Sequence, residues 1–104
     1  MNAARIEMLE KFMEDDPTDP FPIYALALEY QVTEPSKTRQ LFEQLLSAHA
    51  DYLPTYYMAG NFFLEQGDVE RATGVLQLGL KLAKKKSDRG TIREIQAVID
   101  SLEN

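Results

Sequence analysis

No cysteine occurs among the 104 residues. That excludes a disulfide framework, a zinc-thiolate centre and a thiol nucleophile. Histidine occurs once, as His49. Without a second histidine or a suitable carboxylate cluster beside it, metal ligation has no support, and His49 reads as a surface residue near a helix end. Long apolar runs are also missing, since a membrane-spanning helix needs about 20 such residues in a row. Met1-Asn2-Ala3-Ala4-Arg5 lacks the basic-then-apolar pattern of a signal peptide. From these absences we expect a cytoplasmic protein with no membrane contact. No Gly-rich phosphate cradle and no Ser/His/Asp or lysine constellation is present, and Glu14, Asp15, Asp16 and Asp19 lack the EF-hand order of ligands and glycine. The expectation is therefore no enzyme, no catalytic residue, no metal and no cofactor.

Positive charge is scarce in the first two thirds of the chain. Residues 1–70 carry 4 basic and 13 acidic side chains, whereas residues 71–104 carry 7 basic and 4 acidic, for a net charge of −6 over the whole chain. Nucleic acid and anionic membrane are polyanions, so this balance disfavours both as partners. The one basic cluster is Lys81, Lys84, Lys85, Lys86, Arg89 and Arg93. Lysines near a helix C-terminus complement the helix dipole, and no stacking aromatics accompany them. The asymmetry reads either as two solvated faces or as a dipole favouring head-to-tail contact between copies.

What is present is helical periodicity, with no strand-like alternation. Ile6, Leu9 and Met13 share a face, with Phe12 beside them. Pro17, Pro20 and Pro22 predict a loop. Ile23, Leu26, Ala27 and Tyr30 form the next stripe over 21–32. Pro35 fits the first turn of a helix near 35–48 that buries Leu41, Phe42, Leu45 and Leu46. Pro54 opens another in the same way, running through Tyr56, Ala59, Gly60 and Phe63 to a stop at Gly67. Asp68 is placed to cap a helix reaching about Lys85, with Val69, Ala72, Leu76, Leu80 and Ala83 on its apolar stripe. Ile92, Ile95, Ile99 and Leu102 mark a last helix, with Thr91 and Glu94 spaced for a capping box. The result is an all-α chain of about six helices.

Two stretches match each other. Ile23-x2-Leu26-Ala27-x2-Tyr30 followed by Thr38-x3-Phe42 is echoed by Tyr56-x2-Ala59-Gly60-x2-Phe63 followed by Ala72-x3-Leu76, at offsets of 33 and 34 residues. This pattern resembles the tetratricopeptide repeat (TPR) signature, a bulky residue, then Leu-Gly, an aromatic, Ala, Phe and Pro. In the second stretch Ala59-Gly60 stands for Leu-Gly, and Asn61-Phe62-Phe63-Leu64-Glu65-Gln66-Gly67-Asp68 is similar to the family's first helix and turn. Lys84 replaces the family's terminal proline. In the first stretch Ala27 stands for the glycine, Thr38 for the alanine and Ala50 for the proline.

The resemblance implies stacked antiparallel helix pairs forming a short right-handed solenoid in a single domain over 1–104. Residues 1–19 would be a half-repeat helix, 20–52 and 53–86 full repeats, and 87–104 a capping helix. It further implies a protein-interaction module, an adaptor, scaffold or co-chaperone-like protein that binds a peptide or helix in a concave groove. By motif spacing that groove would hold Phe21, Tyr24, Leu28 and Gln31, together with Pro54, Tyr57, Asn61 and Leu64. Asn61 matches an asparagine that some chaperone-binding members use on a peptide backbone or C-terminal carboxylate. The lysines and arginines of that clamp are absent here, so an aromatic groove for an apolar segment is expected instead. In the competing reading, Tyr24 and Tyr57 are packing residues. The functional alternative is a structural subunit that self-associates, or caps a larger complex, through its terminal helices.

Overall fold

The prolines that punctuate the sequence start helices. A computed structural model describes residues 2–103. Among them are six helices and no strand: α1 (Ala3–Asp15), α2 (Pro20–Tyr30), α3 (Pro35–Ala48), α4 (Pro54–Glu65), α5 (Val69–Lys85) and α6 (Arg89–Leu102). α2, α3 and α4 each carry proline in the first turn, where the missing N–H has no intrahelical acceptor to lose. The prolines expected to form a loop therefore divide: Pro17 lies in the link, while Pro20 opens α2 and Pro22 is buried in its first turn. Asp19 caps that turn by accepting from the Phe21 N–H at 3.0 Å. Within the link, Asp16 accepts from the Thr18 hydroxyl (2.6 Å) and then the Thr18 amide (3.1 Å), which lowers the pKa of its carboxyl.

The chain divides into two compact units, 1–52 and 53–104. In the first, Ile6 and Leu9 of α1 pack with Ala25, Leu26 and Tyr30 of α2, and Met13 and Leu41 flank them. Arg5 pairs with Glu29 at 3.6 Å, tying the start of α1 to the far end of α2. On the other side of α2, Ala27, Thr38, Phe42 and Leu45 are fully buried. The Gln31 N–H donates to Leu28 O at 3.3 Å, one residue short of the α-helical partner Ala27. The Ala27 carbonyl instead receives the Thr38 hydroxyl of α3 at 2.9 Å. The residue that stands for the repeat's alanine thus donates, to the backbone of the residue that stands for its glycine, a hydrogen bond that an alanine could not make.

In the second unit, α5 lies against α4 on one side and α6 on the other. Gly60 and Gly79 permit these approaches. A Cβ on Gly60 would lie 2.4 Å from Leu76 Cδ2, and one on Gly79 would lie 2.4 Å from Tyr56 Cβ and 3.1 Å from Ile95 Cδ1. Phe62, Phe63, Val75, Leu76 and Ile95 fill the space between helices. The Arg71 guanidinium sits 5.6 Å from the centre of the Phe63 ring, a cation–π contact. Val69, expected on the apolar stripe, is 52% exposed at the first residue of α5. Leu102 is likewise 36% exposed at the end of α6.

α4 and α5 end in the same way. Gly67, at φ +81°, donates to Leu64 O, and Asp68 donates to Phe63 O. Ser87, at φ +57°, donates to Lys84 O, and Asp88 donates to Ala83 O. Each is a Schellman motif, and the aspartate that closes it caps the next helix: Asp68 accepts from Arg71 N–H and Asp88 from Thr91 N–H, both at 3.1 Å. This corrects the expected Thr91–Glu94 capping box. α6 starts at Arg89, so Thr91 is already inside it. Serine has a Cβ that crowds the left-handed conformation, so Ser87→Gly is expected to stabilise the second unit by about 0.5–1 kcal/mol. A rise in urea midpoint at unchanged slope would show it.

Candidate protein-binding surface

Phe21, Tyr24 and Leu28 on α2 and Gln31 at its C-cap follow one another at steps of three, four and three residues, and Pro54, Tyr57, Asn61 and Leu64 repeat those steps on α4. Such spacing keeps four side chains on one stripe of a helix. Residues between them carry the core: Ile23, Leu26, Ala27 and Tyr30 on α2, and Tyr56, Ala59, Gly60 and Phe63 on α4 are buried. The stripes are not. Phe21 is 49% exposed and Pro54 is exposed, while Tyr24, Leu28, Gln31, Tyr57, Asn61 and Leu64 are half-buried. Each unit therefore presents its own predicted residues together, on a single helix.

In the first unit the stripe is stiffened by a residue that helical spacing missed. Tyr52, in the link after α3, meets Tyr24 edge to face, with ring centres 5.7 Å apart and planes at 68°. Burial first, then the neighbouring phenol, raises the pKa of Tyr24; burial and then the Asp19 carboxylate raise that of Tyr52. Both phenols are neutral at physiological pH and can donate as well as accept hydrogen bonds. Tyr52 has no place in a helical period, so spacing carried no sign of it. In the second unit Asn61 Nδ2 donates to the Tyr57 carbonyl one turn back, at 3.1 Å. This bond orients the amide along α4 and leaves its oxygen as an acceptor.

Among solved structures, the chain is similar to the tetratricopeptide repeat domain protein of Salinibacter ruber, with 29% sequence identity, a TM-score of 0.76, and coverage of 82% of this chain and 96% of that one. The fold is TPR-like. No family model and no curated protein sequence matches the chain. As an all-α helical repeat it agrees with the expectation from the two matched sequence stretches. A TPR-like fold suggests a protein-interaction module in general and is typically non-enzymatic. No described helix is long and apolar enough to cross a membrane.

Proposed function

We propose that the chain binds another protein as an adaptor or scaffold would, each unit offering one stripe, that of α2 in the first and that of α4 in the second, to an apolar helix or extended segment. The observation that carries this reading is a half-buried tyrosine at the same register of each stripe, Tyr24 on α2 and Tyr57 on α4. Tyrosine offers a large contact area with few rotamers to lose, and it enriches the central residues of interfaces. Neither stripe carries lysine or arginine, so each suits an apolar segment better than a carboxylate terminus.

A photo-reactive phenylalanine analogue placed at Tyr57, and separately at Gln77 on the outer surface of α5, gives a direct test in the source cell. The reading requires one protein captured from position 57 and not from position 77. With that protein purified, Tyr24→Ala and Tyr57→Ala are each expected to weaken binding about tenfold while helicity by circular dichroism is kept. Unchanged affinity in both folded variants would overturn the assignment. Loss of helicity would show instead that the tyrosines serve packing.

A further inference from the structure

Away from the α2 and α4 stripes, the first unit has an open groove of about 510 Å³ between α1 and α3. Its floor is apolar, built from Met13, Leu26, Tyr30 and Leu41, and its α1 wall carries Glu10 and Glu14. Among the described residues neither carboxylate is engaged in an ion pair or hydrogen bond. Lys37 on the opposite wall lies 3.4 Å from Glu34 and 4.8 Å above the Tyr30 ring, so its charge is met locally. The groove thus offers an oily trough with an acidic edge.

The complement of that trough is on the same chain. Leu78, Lys81, Leu82 and Lys85 make one stripe of α5, at steps of three, one and three residues. Leu78 is 57% exposed, both lysines are exposed and Leu82 is half-buried. No acidic residue occurs between Arg71 and Lys86. The helix dipole accounts for lysines in the last turn of α5, but not for a leucine left in water two turns earlier on the same face.

We propose that the α5 face of one copy docks in the α1–α3 groove of a second copy, with Leu78 and Leu82 on the apolar floor and Lys81 and Lys85 against Glu10 and Glu14. The contact is heterologous, because groove and face are different surfaces, so assembly ends where the last free face meets the last free groove, in a reciprocal dimer or a larger ring, and otherwise continues as a chain. It is a small, charge-assisted contact and is therefore concentration-dependent and weakened by salt. It uses none of the stripe residues, so it stands or falls independently of the proposed function.

The test measures mass by light scattering at rising protein concentration in low salt. Wild type is expected to grow in mass with concentration and to shrink again on adding salt. The charge reversals E10K/E14K and K81E/K85E are each expected to weaken self-association at least about tenfold. An equimolar mixture of the two reversed proteins should recover it, because every groove then meets a face of opposite charge. Leu78→Ser should weaken association without altering charge. All substituted positions are exposed, and circular dichroism checks that each variant is folded. A wild type that remains monomeric throughout would overturn the proposal, as would association insensitive to the reversals or a mixture that recovers nothing.

Discussion

Replacing Gly79 with alanine is expected to lower the melting temperature by about 10 °C or more, while the same change at Gly74, five residues earlier on the same helix, is expected to raise it. Both glycines lie inside α5, where alanine is the better helix former by about 1 kcal/mol. Local propensity therefore predicts stabilisation at both. Packing separates them. A Cβ at Gly74 meets nothing within 4 Å, so the propensity gain survives. A Cβ at Gly79 meets Tyr56 Cβ at 2.4 Å and Tyr56 Cγ at 3.0 Å. Those atoms sit at the root of a buried side chain and move only if α4 moves. Such overpacking costs about 1–3 kcal/mol, and sometimes more. Since the contact is at the base of the side chain, the upper end of that range applies. At Gly60 the nearest atoms a Cβ would meet belong to the buried Leu76 side chain, beyond its Cβ, rather than to the root of a side chain. Thermal unfolding of the two alanine variants side by side checks the opposite signs.

The second large effect is at Thr38, and Thr55 is its control. Both are fully buried. Valine copies the shape of threonine and removes the hydroxyl. Thr38→Val takes away the donor that satisfies the Ala27 carbonyl at the frayed end of α2, and a buried acceptor left without its partner costs about 1–3 kcal/mol. Among the described residues the Thr55 hydroxyl has no hydrogen-bond partner. Thr55→Val therefore removes a desolvated polar group with nothing lost in exchange, and is expected to be neutral or to stabilise by about 1 kcal/mol. Urea unfolding of each variant gives the two values. Equal destabilisation by both would mean that the Thr38 bond contributes nothing beyond shape.

These two sites also show where sequence reading stops. The helices were legible because their signals are local: proline at the first turn, Gly67 before Asp68, and apolar residues at helical spacing. The start of α6 differs from the Thr91–Glu94 spacing because the same turn is made with Ser87 in place of glycine, which carries no local sign of the cap at Asp88. Gly79 carries no local signal in the sequence, since the reason for it is Tyr56, 23 residues away, and Ile95 on the next helix. Thr38 was legible as a departure from the repeat signature, but not as the donor to Ala27. The candidate surface divides in the same way. The stripes of α2 and α4 follow from period alone, whereas Tyr52 lies in a link with no period, and the groove between α1 and α3 gathers residues from three helices.

The grouping of packing partners also bears on how the chain comes to fold. Each helix has neighbours along the chain within its own unit: α1 and α3 on α2, α4 and α6 on α5. Contacts between sequence neighbours need only short loops to close, which favours fast folding over slow searching. All the residues of the first core cluster lie between Ile6 and Leu41. That cluster can assemble while α4 to α6 are still being added by the ribosome. Helices α2 and α3 can then shield Leu26, Phe42 and Leu45 without any residue of α4 to α6.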